Sequence, residues 1–148
     1  MWRQSVIEEI KDNEQILAII IRTNFDQEGI HFFTPEKFSQ QLAYMHHPAG
    51  KTIAAHCHTV EPRNVELTQE VLFIRRGALR VDFYRADRSY LESRILRNGD
   101  VILLANGGHG FEVLEEIEMI EVKQGPYRGE GEKTRFPSIA PDQIKFIS

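Results

Sequence analysis

The stretch from Glu70 to Arg85 reads EVLFIRRGALRVDFYR. In its second half Leu79, Val81 and Phe83 fall on one side, and Arg80, Asp82 and Tyr84 on the other. That two-residue period belongs to a β-strand with one face buried and one face wet. Val71–Arg75 forms a further apolar strand candidate, and Gly77 punctuates the passage between the two.

The same rhythm extends in both directions. Strands are expected at Ile16–Ile21, Ile30–Phe33, Gln41–His46, Thr52–His58, Val71–Arg75 and Leu79–Arg85, then at Tyr90–Leu96, Val101–Leu104, Gly110–Leu114 and Ile117–Lys123. Turn residues separate them, among them Pro48-Ala49-Gly50, Asn98-Gly99-Asp100 and Asn106-Gly107-Gly108,. Ile16–Ile21 is apolar without interruption and rich in β-branched residues, the pattern of a strand covered on both faces,. Many short strands without intervening helices indicate a sandwich or barrel, not a parallel α/β sheet. Helical signals are confined to the start. Ser5 and Glu8 make a capping-box pair, with Val6, Ile7 and Ile10 as a short apolar face,. Thr34-Pro35-Glu36 reads as an N-cap and first helical position for one turn through Phe38,. The expected fold class is therefore all-β, with a short N-terminal helical segment.

A chain of 148 residues fits one domain with a substantial core,. Its net charge of −4 is mild and no Lys/Arg stripe appears, so nucleic acid is not an expected partner,. The single cysteine, Cys57, has no internal partner for a disulfide, which suits a reducing compartment,. Neither a signal-like start nor an apolar run of membrane-spanning length is visible, and a soluble cytoplasmic protein is expected. The tail after Gly125 reads as an irregular wrap.

His56-Cys57-His58 closes a strand candidate, so alternation places both imidazoles on one face and Cys57 on the other,. Two imidazoles about 6–7 Å apart along one strand face can share a metal ion. A His-x-His pair alone is weak evidence, since surface or core histidines produce it by chance. Glu70 opens the following strand, and His109 begins another after a Gly-rich turn.

In register, Gly50, His56-x-His58, Glu70 and Gly77 resemble the first motif of the cupin superfamily, and Gly99-Asp100, Gly107 and His109 resemble the second. The resemblance covers about residues 40–124 and implies a double-stranded β-helix (jelly-roll barrel) making the whole of 1–148 a single cupin domain. Residues 1–39 would be an N-terminal extension and 125–148 a C-terminal wrap. It further implies one divalent transition metal held by His56, His58, Glu70 and His109. Three imidazoles and a carboxylate suit Fe, Mn, Ni, Zn, Co or Cu without choosing among them.

Departures from the family pattern are visible. Glu70 follows His58 by twelve residues where the family's glutamate stands four or five away, so Thr59–Gln69 would be an inserted loop, with Glu61 and Glu66 as rival ligands. Ala105 replaces the second motif's proline, and Gly107-Gly108-His109 is one residue tighter than the common spacing. The ending Ile120–Tyr127 is similar to that of small bacterial cupins associated with polysaccharide gene clusters.

Five further residues are candidates for substrate contact: Tyr44, Arg63, Phe111, Glu121 and Lys123. Phe111 would share the face of His109, or be plain barrel packing. Glu121 and Lys123 share a face with Ile117 and Met119; turned inward they would bond a polar substrate, turned outward they would be solvated, the commoner arrangement for such charges. Arg63 would reach over the metal from the inserted loop, or stay solvated. Gln69 is a candidate to orient a ligand. His31, His46 and His47 are read as structural or surface residues, and Cys57 as a small core residue. The expected function is a metal-dependent enzyme, isomerase or dioxygenase in type, acting on a small polar substrate that is sugar-derived or a carboxylate. Alternatives are a non-catalytic metal-containing sugar-binding protein and, third, a metal-independent sugar epimerase. A homodimer is expected, with Ile16–Ile21 as the pairing edge.

Overall fold

The computed structural model describes residues 6–147. Eight strands carry the fold: β1 (Ile7–Asp12), β2 (Gln15–Ile21), β3 (Gly29–Phe32), β4 (Ala43–His46), β5 (Glu70–Tyr84), β6 (Tyr90–Arg97), β7 (Val101–Leu104) and β8 (Gly108–Lys123). Two short 3-10 turns, Gly129–Glu132 and Pro141–Gln143, are the helical elements among the described residues. Among the described residues, no helix is long and apolar enough to cross a membrane.

The main sheet is antiparallel, ordered β1-β2-β7-β5-β6, with β8 along the other side of β5. The β5–β8 ladder runs from Glu70 opposite Lys123 to Tyr84 opposite Gly108. Laid flat, that many residues at about 3.3 Å each would span more than about 40 Å. The ribbon is not flat. Its register shifts between Ile74 and Leu79, where Gly77 sits at φ +104°. A Cβ on Gly77 would lie 2.2 Å from the Glu116 carbonyl oxygen, so only glycine lets the two backbones approach this closely,. Before the bend β5 pairs with β7 through Glu70–Phe73; beyond it, β5 pairs with β6 through Ala78–Tyr84. Gly77 is thus a bulged bend inside one strand, and Val71–Arg75 and Leu79–Arg85 merge into β5. Gly110–Leu114 and Ile117–Lys123 merge into β8 in the same way. The result is a curled antiparallel sheet, a half-barrel.

Alternation assigns the core. Leu72, Ile74, Leu79, Val81 and Phe83 of β5 project inward onto Ile10, Leu17, Ile20, Leu96, Ile102 and Leu104. Full burial of each such side chain contributes about 1.5–3 kcal/mol. On the opposite face Ile19, Leu103 and Ala105 are covered by Phe33, Phe38 and Leu42 from the connection before β4. This double covering is why Ile16–Ile21 reads as continuously apolar.

Several expectations need correction. Residues 7–12 form β1, not a helix, because Ile7–Asp12 complete the open edge of β2; the Ser5 half of the capping-box expectation lies outside the described residues. The Thr34–Phe38 turn closes with one i to i+3 bond, Phe38 N to Pro35 O at 3.0 Å, and goes no further. Thr52–His58 is not a strand here, since no neighbouring strand pairs with it. Ile16–Ile21 is not a free edge for dimer pairing: β1 and β7 occupy both its sides.

A charged cluster ties the sheet's edge strands together. Arg22 bonds Glu8, Asp100 and the Ile95 carbonyl, while Arg94 bonds Glu8 and Glu92. Asp100 also accepts from the Thr23 and Arg97 amides, each at 2.8 Å. Burial pushes the Glu8 carboxyl up, but Arg22 and Arg94 outweigh it and the net shift is below the usual 4.5.

Gly77→Ala should lower stability by at least about 2 kcal/mol in urea denaturation, through left-handed strain and the clash with Glu116. Gly129→Ala should cost about 1 kcal/mol, because φ there is +74° but nothing lies within 4 Å of the added Cβ,. For Glu8, a lowered folded-state pKa adds stability above the unfolded value and loses it as pH falls through the folded one. The stability difference between wild type and Glu8→Gln should therefore shrink between pH 7 and pH about 3, measured by urea midpoints.

Candidate functional site

Because the ribbon folds across itself, residues from its two ends meet. Glu70, the first residue of β5, and His109, the second of β8, come together with Glu70 Oε1 2.7 Å from His109 Nε2. Gly107 makes the entry to β8 possible: at φ +70°, any Cβ would lie 2.3 Å from the Tyr84 carbonyl oxygen. His109 opposes Phe83 in the ladder and Glu70 leads the Leu72–Ile74 face, so both point into the half-barrel.

Around this pair the electrostatics are organised. The hydrogen bond to His109 is the largest influence on Glu70; burial opposes it, and Glu121 and Lys123 assist, so the Glu70 carboxyl falls to about 2. The hydrogen bond to anionic Glu70 pushes the Glu121 carboxyl up, as do burial and the Glu70 charge. One carboxyl is held as the anion while its neighbour is biased toward the acid. Lys123 bonds Glu132 of the tail at 3.2 Å, and that partner raises its pKa.

A cavity of about 470 Å³ opens beside the pair, lined by Thr68, Glu70, Gly107–Gly110 and Lys123 from the sheet side and by Glu132–Phe136 from the tail. Its size is that of a small-molecule site. The tail's share of the wall, including Lys133 and Arg135, had no signal in the sequence, where 125–148 reads only as a wrap.

The candidate residues divide into three groups. Glu70, His109, Glu121 and Lys123 converge. Phe111 lies beside His109, its ring 5.1 Å away, but it is exposed and not among the residues lining the cavity. His56 and His58 do not join. They sit on the exposed segment between β4 and β5, their rings 5.4 Å apart, with His56 Nδ1 2.8 Å from the Ala54 carbonyl oxygen. Arg63, Glu61 and Glu66 are exposed on the same segment. So is Cys57, which corrects its expected place in a core. Tyr44 belongs to the separate β3–β4 sheet, edge-on to Phe25 at 4.8 Å, and does not line the cavity. Gln69 is buried, but its Oε1 accepts from Ser39 Oγ at 3.2 Å and Gln40 N at 3.1 Å, so it anchors the start of β5 to the chain before β4.

The donor set therefore exists as two halves: a carboxylate facing an imidazole in the cavity, and two facing imidazoles outside it. Among the described residues, no group of three or more His, Cys, Asp or Glu is gathered to hold a metal ion. Each half carries donor types that transition metals accept. Compared with protein families, curated proteins and solved structures, the chain matches none.

His109→Ala removes the strongest influence on Glu70 and leaves it beside Glu121. The Glu70 carboxyl should then titrate well above its wild-type position, as followed by side-chain carboxyl 13C shifts. An unmoved Glu70 titration would contradict the electrostatic role given to His109.

Proposed function

We propose that this chain is a metal-binding cupin, a double-stranded β-helix protein whose divalent transition metal is held by His56, His58, Glu70 and His109. On this reading it is an enzyme of the isomerase or dioxygenase type, acting on a small polar substrate, sugar-derived or a carboxylate. The supporting observation is the 2.7 Å contact between Glu70 and His109, residues that two separate sequence motifs nominate and that meet at a cavity. Donors carried on the strands of a sheet are held more rigidly than donors on loops.

The bound metal would supply Lewis-acid polarisation of a carbonyl or activation of dioxygen. The chain's own residues supply the rest. Lys123, Lys133 and Arg135 at the cavity wall match a carboxylate or a sugar phosphate, and the Arg fork suits bidentate oxygen pairs,. Glu121, in hydrogen-bond contact with Glu70, stands where it can hold a proton next to a bound substrate. Phe111, exposed beside the ring of His109, offers an apolar surface for a sugar or alkyl face. A cavity of about 470 Å³ has the size of a site for one small molecule,.

Elemental analysis of freshly purified full-length protein tests this reading. Wild type should carry about one transition metal per chain, and Glu70→Gln and His109→Ala should each be strongly depleted. Full occupancy in both variants would remove Glu70 and His109 from the ligand set and the proposal with them.

A further inference from the structure

From Pro48 to Thr68 every residue is exposed, and between residues 52 and 68 the described chain makes no backbone–backbone hydrogen bond. The segment is nonetheless not a polar linker. Ile53, Val60, Val65 and Leu67 are among the exposed large hydrophobics, and Val60 is 94% exposed. Its C-terminal end is anchored, since Gln69 at the start of β5 accepts from Ser39 and Gln40 just ahead of β4. It is an arm that leaves the body and returns.

β8 presents the complementary defect. Among the described residues it pairs with β5 alone, so its other edge has no strand partner there. Phe111, Val113, Leu114, Met119, Ile120 and Val122 are all exposed along it. A long, apolar, unpaired edge demands a covering strand. The free edge of β6, by contrast, is partly occupied by the tail through the Ser93–Phe146 bridge. Thr52–His58, which has strand character in sequence and no strand partner among the described residues, has the composition to cover β8.

We infer that two copies of this chain exchange arms: Lys51–His58 of each copy adds antiparallel to the free edge of the other's β8 and carries His56 and His58 to the partner's Glu70 and His109. The metal half of this inference rests on the function proposed above; the arm exchange rests on the exposed arm and edge alone. A register with His58 opposite His109 sets His56 opposite Phe111, on the same inward face. It sets Ile53 against Leu114, two exposed apolar side chains, and brings Lys51 to the acidic run Glu115, Glu116 and Glu118. Apolar contact, charge and ligand placement thus agree in one register. The arm has the size of one side of a standard interface, about 20–30 residues. A second copy is favoured over closure within one chain because residues 48–68 are exposed throughout and, among the described residues, β8 has no strand on its second edge.

The same register puts Cys57, on the outward face, opposite Gly110. An added Cβ at Gly110 would meet only ordinary contacts, 3.9 Å from Tyr84 and 4.0 Å from Asp82, so Gly110→Cys should fold. Under mild oxidation this variant should convert to a covalent dimer on non-reducing gels, which wild type under the same oxidant does not form. Wild type itself should have twice the 17.2 kDa chain mass by light scattering. A monomeric mass, a disulfide within one chain, or a dimer that never cross-links would each overturn the exchange. Co-expression of a His56→Ala/His58→Ala chain with a Glu70→Gln/His109→Ala chain adds the metal readout. The mixed dimer should hold one metal ion, about half the wild-type content per dimer, while each variant alone holds none. Metal-free wild type that still cross-links between chains would sink the metal reading and leave the arm exchange standing. A mixed dimer without metal beside metal-loaded wild type would overturn the shared site.

Discussion

A two-stranded ribbon brings its own ends into contact only by folding across itself, and the bend has to fall where both backbones tolerate it. In this chain the bend falls between Ile74 and Leu79, where three register shifts cluster and Gly77 admits the Glu116 carbonyl into the space a side chain would fill. Everything else is arranged by that fold. β5 meets β7 on one side of the bend and β6 on the other, so the inward faces of both halves share one core. Glu70 and His109 belong to opposite ends of the ribbon, and their contact at 2.7 Å registers the closure directly.

The charged groups are sorted by the same curvature. Arg22, Arg94, Glu8, Glu92 and Asp100 satisfy one another at the far edge, where β1, β6 and the turn into β7 approach. This is a structural cluster, since its cations are matched by carboxylates and by the Ile95 carbonyl. The cavity group is differently composed. Glu70, Glu121 and His109 sit together beside Lys123, which is shared with Glu132 of the tail, and Lys133 and Arg135 line the same cavity. Ionisable groups gathered at an open cavity are a poor way to stabilise a fold and a good way to meet a polar ligand.

Local patterning made most of the sheet legible. The alternation of Leu79, Val81 and Phe83 assigned their inward face, and the continuous Ile16–Ile21 run marked a strand covered on both sides. The helix expected near Glu8 failed because a capping-box signal is local, whereas the open edge of β2 is a tertiary demand that the sequence pattern does not display. Gly77 looked like a turn because a positive φ serves a bulge and a turn equally well. Of the site, Glu70 and His109 could be nominated because motif spacing carries them. Tyr44 could not be judged from its strand alone: it sits on the separate β3–β4 sheet, a placement set by packing against Phe25. Lys133 and Arg135 were invisible because a wrap's path over a sheet depends on contacts such as Phe136 on Tyr84, not on periodicity.

That wrap bears on access to the cavity. Besides the Lys123–Glu132 ion pair and the Ser93–Phe146 bridge, it is held by Phe136 edge-on to Tyr84, the Tyr84 hydroxyl accepting from the Ile139 amide, the Tyr90 hydroxyl accepting from the Lys145 amide, and the Ser93 amide bonded to the Lys145 carbonyl. Segments so fastened open at a fraction of the free energy that unfolds the sheet. Since the wrap forms one wall of the cavity, an opening of the wrap would widen that cavity while leaving Glu70 and His109 in place on the sheet.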